Sequence, residues 1–592
     1  MFTENSNVIE LENRNRRKFD NAVIADLDQD GYLDILLTEH SRRVEIYWNN
    51  KGIFSKGEPF IFGDTHGIAI GDYNFDGIIE ILVQSGGGDG KNPRKIKYYN
   101  VSKKRKITKG GEYKHFDGSR GRAVKLVDVD NNGSLDLITS AFPAIKHLDK
   151  GNVVYKRDDK LEFDFVSYLP HADRMAMRTS LTDFNNDNIT DVIFHGGNRF
   201  VAVNGNKGLT FEDVTQSLFK DLTNIKLINS VSEIDFDNDG DTDLFLTRSK
   251  HPFDSESEYD ETQKTFYFFA RRKAFEYNNL EVEGDLKIEN LQMAFPNFDI
   301  FIGENKTSYK RKKDKHGHID ATITQKEAKG FPEDISKKAL YIGYLGNNLW
   351  KIAGHTNSPT SAVLHNVISK PAVIELKIMP AKLLENRNGV FVDVTNQLNI
   401  NIKEQTTSAA VGDFNNDGWS DLFIVRYGKS ASTIAQFLYL NQEGKKFVKQ
   451  ENHGIIRKEL GATGMGADAF DYDKDGDLDI IYSNERGKWH LFTNNSKNDN
   501  NFIEVNVGYS PSKKATAMGA VLNFSACGNQ YKRVVGATSS SYSHTFNTFL
   551  HVGLGKCKKV ENATLTWSNG ETLPLQINDL NKIYTAGNIK LK

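Results

Sequence analysis

Short apolar runs alternate with polar turns along most of this chain, and the runs are too short to be helices. Ala22-Val-Ile-Ala and Ile35-Leu-Leu-Thr are the first two. Four to eight apolar, β-branched residues bounded by Asp, Asn and Gly predict strands. Between these two runs lies an acidic turn, Asp26-Leu-Asp28-Gln-Asp30-Gly31-Tyr-Leu-Asp34, and the same unit recurs with turns starting at Asp72, Asp128, Asp183, Asp235, Asp413 and Asp471. A third strand follows that ends in Asn, then a Gly-containing turn and an aromatic. Tyr47-Trp48-Asn49-Asn50-Lys51-Gly52-Ile53-Phe54 shows this pattern, and Ala202-Val203-Asn204 through Phe211 and Leu438-Tyr439-Leu440-Asn441 through Phe447 repeat it.

Four short strands per unit of about fifty residues is the period of a propeller blade, whose sheets stack radially and leave only short edges. Successive turns start 46 to 58 residues apart, except for one gap of 178 between the fifth and sixth. That gap is one ordinary repeat plus an insertion. The expected organisation is all-β: blades one to five over 1–250, an inserted β-rich domain over 251–385 between blades five and six, blades six and seven over 386–500, and a small β domain over 501–592. Strand-like runs at Thr265, Phe298, Leu340 and Val373 point to a β-sandwich in the insertion. Its aromatics Tyr341, Tyr344 and Trp350 suit core packing better than sugar stacking.

The acidic turns carry the chemistry. Alternate side chains of a tight loop aim oxygens into one concavity, so positions 1, 3, 5 and 9, with a carbonyl at 7, can surround a hard cation; calcium fits best. Zinc and copper would call for His or Cys, which the turns lack. The candidate ligands are Asp26, Asp28, Asp30 and Asp34 in the first turn, then Asp72, Asn74, Asp76 and Glu80, and Asp128, Asp130, Asn132 and Asp136. The fourth and fifth supply Asp183, Asn185, Asp187 and Asp191, and Asp235, Asp237, Asp239 and Asp243. The last two supply Asp413, Asn415, Asp417 and Asp421, and Asp471, Asp473, Asp475 and Asp479. Up to seven Ca2+ are expected, held more weakly where Asn replaces Asp. Polar β-turns use the same residues without metal, but three or four carboxylates in nine residues repel one another unless a cation neutralises them. Gly fills position 6 in six turns and Asn188 in the fourth, the other residue that visits the left-handed region readily.

These turns resemble the FG-GAP/VCBS repeats of the integrin α-subunit β-propeller. The resemblance covers 1–250 and about 385–500, and it implies that most of the calcium is structural. The C-terminal segment resembles the ASPIC/UnbV domain that follows such a propeller in the cartilage acidic protein family. The matching residues are Gly519-Ala520-Val521, Val535-Gly536-Ala537, Ser539-Ser540-Ser541-Tyr542, His551-Val552-Gly553-Leu554-Gly555 and Trp567-Ser568-Asn569-Gly570, with Ser568 where the family has proline. His551 is expected to be a structural hydrogen-bonding residue, and Trp567 part of a core.

A formal net charge of −2 over 592 residues hides a segregation of acids into the turns; with calcium bound the protein becomes net positive. The basic stretch Lys310-Arg311-Lys312-Lys313 with Lys315 reads as a solvated loop, not a nucleic-acid patch. Cys527 and Cys557, the only cysteines, share the C-terminal domain and point to a disulfide. Together with weak calcium turns they favour an extracellular or periplasmic setting, although Met1-Phe-Thr-Glu-Asn-Ser is polar and contains no secretion leader. No segment has the length and apolarity of a membrane span.

Two functions fit. One is a calcium-binding adhesion or binding protein whose partner is a glycan or an extracellular protein. The other is an enzyme acting on a small molecule over the central channel by cyclisation or proton transfer, as the resemblance to proteins of natural-product gene sets implies. The channel rim then draws on Asp20, Asn21, His66, Arg120, Arg122, His171, Arg174, Arg178 and Ser230, opposite a small, neutral wall of Thr406, Thr407 and Thr463 to Met465, with His66, Arg120 and Arg178 the catalytic candidates. No nucleophile elbow, zinc-protease motif or phosphate loop is present; Gly86-Gly-Gly-Asp-Gly90 lacks a dinucleotide fingerprint's third glycine.

Overall fold

The computed structural model describes all residues except 87–93, 114–119, 143–150, 159–161, 171–172, 174, 252–253, 294–298, 311–317, 357–358, 538–539 and 590–592. His171, Arg174, most of the Gly86 loop and the basic stretch from Arg311 to Lys315 therefore lie outside the described residues, as does the side chain of Arg120.

Each acidic turn joins the first two strands of an antiparallel sheet. Val23–Ala25, Asp34–Glu39, Arg43–Asn49 and Phe54–Lys56 form the first such sheet, with Ile61–Phe62 added against its third strand. The second to fourth are meanders beginning at Thr65–Gly71, Arg120–Val127 and Arg178–Thr182, and the sixth begins at Thr406–Gly412. The arrangement is β-propeller-like: the first strands of successive sheets lie side by side, and Asn21 Nδ2 donates to Ala467 O at 2.7 Å to join the seventh sheet to the first.

Separate apolar cores fill the gaps between neighbouring sheets. Ile24, Ile35 and Tyr47 of the first pack on Phe470, Ile481 and Trp489 of the seventh, and Phe423 and Leu438 of the sixth on Ile480 and Phe492. Sheets buried on both faces need continuous apolar strands, and Asp34–Glu39 is buried at every residue.

Two sheets depart from the expected boundaries. The seventh pairs Thr463–Phe470, Asp479–Glu485 and Trp489–Asn494 with Phe2–Glu4, so the first residues belong to the last sheet and close the ring. Three residues carry no periodicity that could have shown this. The fifth sheet is Ile228–Ile234, Asp243–Arg248, Lys382–Arg387 and Val390–Asp393. The insertion thus lies inside it, between its second and third strands, and ends before Lys382 rather than at 385. The acidic turn marks only the first two strands of a sheet, so its last strand pair can be displaced without disturbing the motif. Asn386, Gly389 and Phe391 nevertheless repeat the strand-Asn-Gly-aromatic pattern, the signal by which the boundary could have been found.

The insertion is built from two five-stranded sheets, Glu256–Asp260 with Thr265–Ala270, Thr360–Leu364, Leu286–Met293 and His318–Ile323, and Ala274–Glu281 with Leu349–His355, Ala339–Gly346, Asp299–Ile302 and Thr307–Ser308. They share a core that includes Phe266, Leu280, Leu340 and Trp350. One sheet docks on the sixth and seventh propeller sheets: Glu256 accepts a hydrogen bond from Tyr427 at 2.9 Å, and Asn290 Nδ2 donates to Arg486 O at 2.9 Å. Tyr341 and Trp350 are fully buried, as core packing requires.

The C-terminal domain has a three-stranded sheet centred on Asn501–Val507 and a four-stranded sheet, Asn529–Val534, Val521–Ala526, Glu561–Thr566 and Thr572–Pro574. A disulfide joins Cys527 and Cys557.

Candidate metal loops and a filled channel

All seven acidic turns share one backbone. Position 4 is left-handed in each, from φ 55° at Asn238 to 64° at Lys474, and position 6 has positive φ, between 80° and 96° where it is Gly. Asn188 adopts φ 61°, as its residue type allows. The left-handed residue at position 4 was not foreseen, because Gln29, Phe75 and Lys474 are not residues that favour it.

The acid at position 9 ties the turn to its sheet. In Asp34, Asp136, Asp191, Asp243, Asp421 and Asp479 one oxygen accepts the backbone N–H of position 2 and the other an N–H of the third strand, at 2.7 to 3.3 Å. Position 1 accepts the N–H of position 6 in six turns, at 2.6 to 3.1 Å. In the fifth turn neither oxygen of the buried Asp235 has a hydrogen-bond partner among the described residues, and Asp237 and Asp473 each hold one oxygen in the same state.

Carboxylate oxygens converge within 4.8 Å in the first, third, fifth and seventh turns. Burial above all, then neighbouring carboxylates, pushes Asp26, Asp235 and Asp471 up to about 7 and Asp243 up to about 9. Crowded, half-dry acids, which at Asp235 also lack a hydrogen-bond donor among the described residues, fit a hard cation with oxygen ligands. Three turns already contain a competing cation: Arg105 Nε lies 2.6 Å from Asp28 Oδ2, Lys156 pairs with Asp130, and Lys532 Nζ lies 3.5 Å from Asp183 Oδ2.

The Asn that ends the third strand links sheets. Asn441 Nδ2 donates to Ser420 O in its own turn at 3.1 Å and to Phe236 O in the preceding one at 2.7 Å. Asn386 reaches Phe184 O, Asn494 reaches Phe414 O, and Asn49 reaches Tyr472 O across the closure. Asn204 does not join this set. It lies one residue early, and Gly205 occupies the equivalent place against Asp191.

The turns also seat the C-terminal domain. Tyr509 Oη donates to Asp72 at 2.6 Å, Lys532 Nζ to Asn186 at 2.6 Å, and Gly555 N to Asn416 O at 2.8 Å. His551 Nε2 lies 2.9 Å from Gly476 O, the structural role expected of it, and Trp567 is core, with its Nε1 donating to Gly508 O.

A family profile described as FG-GAP-like repeat matches residues 26–83, and one described as ASPIC and UnbV matches 510–589. The chain carries both. From the ASPIC and UnbV domain, residues 540–546 run into the centre of the ring. Val124 N donates to Tyr542 O, Thr179 N to Ser541 O, His544 N to Ile68 O and Phe546 N to Ile24 O, so the segment meets the first four inner strands in turn. Ser541 Oγ adds the fifth through Asn229 O. Asp20 accepts Ser543 N at 2.6 Å and Ser540 Oγ at 2.9 Å, while Lys125 Nζ donates to the carbonyls of Ser540 and Ser543. Of the catalytic candidates, Arg178 stacks over the Tyr542 ring at 5.7 Å and His66 flanks the same ring at 6.5 Å. The Tyr542 ring thus lies between the two candidates, in a segment that plugs the channel centre.

No curated protein matches the chain. Among solved structures it is similar to the V. cholerae biofilm matrix protein Bap1, at 11% identity and TM-score 0.35 over 93% of this chain and 98% of that one. It is also similar to an Agrocybe aegerita lectin (13%, 0.29, 74% and 93%) and an exo-β-1,3-galactanase from Phanerochaete chrysosporium (10%, 0.28, 62% and 98%). At such scores the fold stands on the chain's own sheet order.

Proposed function

We propose that this protein is a seven-bladed propeller whose acidic turns hold calcium, and that it acts outside the cytoplasm as a binding or adhesion protein through its outer surfaces. The observation that carries this reading is that carboxylates converge in four of the seven turns, in the fifth with neither Asp235 oxygen hydrogen-bonded among the described residues, while the ASPIC and UnbV domain is seated on the same ring of turns at the second, fourth, sixth and seventh. Calcium would neutralise the turns, fix the seat and hold the plug in the channel. With its centre filled, the wheel is a scaffold, which leaves the outer surface and the inserted sandwich to meet a glycan or protein. The disulfide between Cys527 and Cys557 supports an oxidising compartment.

The test is an array of glycans and matrix polymers probed with purified protein in millimolar calcium and in chelator, with circular dichroism in both. Calcium-dependent binding is the expected outcome. A folded, calcium-loaded protein that binds nothing on the array would overturn the adhesion reading.

A further inference from the structure

At the end of the strands remote from the acidic turns, three side chains of another chemistry converge. His40 follows the second strand of the first sheet, and Asp64 and His66 open the second sheet. His40 Nε2 lies 3.6 Å and His66 Nε2 3.2 Å from the same oxygen, Asp64 Oδ1. The geometry points to a binding site for one divalent transition-metal ion of the zinc class, held by His40, Asp64 and His66 and distinct in ligand type from the oxygen-only turns.

Tetrahedral zinc with bonds of 2.0–2.1 Å sets its ligands about 3.3 Å apart, and the two measured separations bracket that edge. Both imidazoles are buried, at 7% and 4% exposure. Despite its closeness to Asp64, His66 Nε2 has no aligned hydrogen-bond partner among the described residues. One ligand atom from each of His40, Asp64 and His66 lies within 4.8 Å of the others, close enough to share one ion. A buried, unbonded ring nitrogen is costly, and a metal bond removes that cost.

The surroundings are shaped for the same purpose. Gly86 donates its N–H to Asp64 O at 2.7 Å, and a Cβ there would fall 2.3 Å from Asp64 Oδ2 and 2.9 Å from His66 Cδ2, so only glycine leaves space for the cluster. Phe19 forms an apolar wall, its ring 4.4 Å from His40 and 5.8 Å from His66. Two imidazoles and one carboxylate select zinc and its neighbours over calcium and leave a fourth position for an exogenous ligand. Arg17 and Arg122 lie close enough to act on both histidines electrostatically, which makes an anion the ligand that position favours.

The experiment uses the untagged full chain, stripped with chelator, returned to saturating calcium and titrated calorimetrically with Zn2+, then with Co2+ followed by visible absorption. One equivalent of Zn2+ that calcium does not displace is expected, with a tetrahedral Co2+ spectrum. His66→Ala and Asp64→Asn should each weaken it by more than the roughly 100-fold that loss of an outer-shell partner costs, with His453→Gln unchanged. If His66→Ala does not fold, His40→Gln and the wild-type titration decide. Absence of a stoichiometric site in the wild-type protein, or binding that survives these substitutions, would overturn the assignment.

Discussion

Asn188 and Gly476 occupy the same position of two turns, with φ of 61° and 90°. Asn188→Gly removes a side chain from a left-handed residue and is expected to leave stability within about 1 kcal/mol of wild type. Gly476→Ala is a different case, because the new Cβ would meet the Phe502 ring at 2.1 Å and the backbone is strained for Ala. It should cost about 2 to 4 kcal/mol by denaturant titration. The turns also differ in electrostatics. The fifth has five acids from Asp235 to Asp243 and both Asp235 oxygens free of hydrogen bonds among the described residues, whereas Arg105 sits against Asp28 and Asp30 in the first. On the proposed calcium reading, Asp237→Asn should weaken the fifth site toward the class of the turns that already contain Asn, and Arg105→Gln should tighten the first turn by about three- to tenfold, both read by calcium calorimetry. Calcium affinities that move in neither variant would contradict this ranking. The acids and glycines of the turns were legible in the sequence because nine consecutive residues build each turn. Arg105 was not, since it arrives from the next sheet.

Sheets are joined by single side chains at identifiable strand ends. Asn441→Ala would leave the carbonyls of Phe236 and Ser420 without their donor, and a loss of about 1 to 3 kcal/mol is expected from chemical denaturation. The closing sheet has a second device. His490 lies 2.7 Å from both Glu4 and Glu459, and despite burial these two carboxylates push its pKa up to about 9. A histidine whose folded pKa exceeds its unfolded value near 6.5 stabilises fully below that pH and loses the contribution as pH rises through 9. In saturating calcium, stability should therefore fall between pH 6.5 and 9, and His490→Gln should flatten that slope. An unchanged slope in the variant would assign it elsewhere. The Asn pattern was visible along the strands, but its misplacement at Asn204 shows the limit: only pairing reveals that Gly205 faces Asp191.

For the whole molecule the decisive feature is the C-terminal segment inside the ring. Asp20 receives two hydrogen bonds from it and faces the buried Lys125. Asp20→Ala is expected to cost about 3 kcal/mol or more and to speed proteolytic release of residues 508–592, because a buried ammonium loses its counter-charge while two donors lose their acceptor. Unaltered proteolysis would show that the plug is held by its other contacts alone. The sequence by itself determined the repeating turns, the all-β character, the ring of sheets and the order of the segments, since each rests on local spacing and on which side chains a nine-residue turn or a short strand can carry. Tertiary structure alone decided that the insertion splits the fifth sheet, that Phe2–Glu4 completes the seventh and that the channel is filled. It also decided that His40 meets Asp64 and His66. Apart from the Asn386, Gly389 and Phe391 pattern that marks the far side of the insertion, those pairings depend on closure of the ring and on backbone donors and acceptors, which every residue type but proline supplies alike, so composition and spacing leave no trace of them.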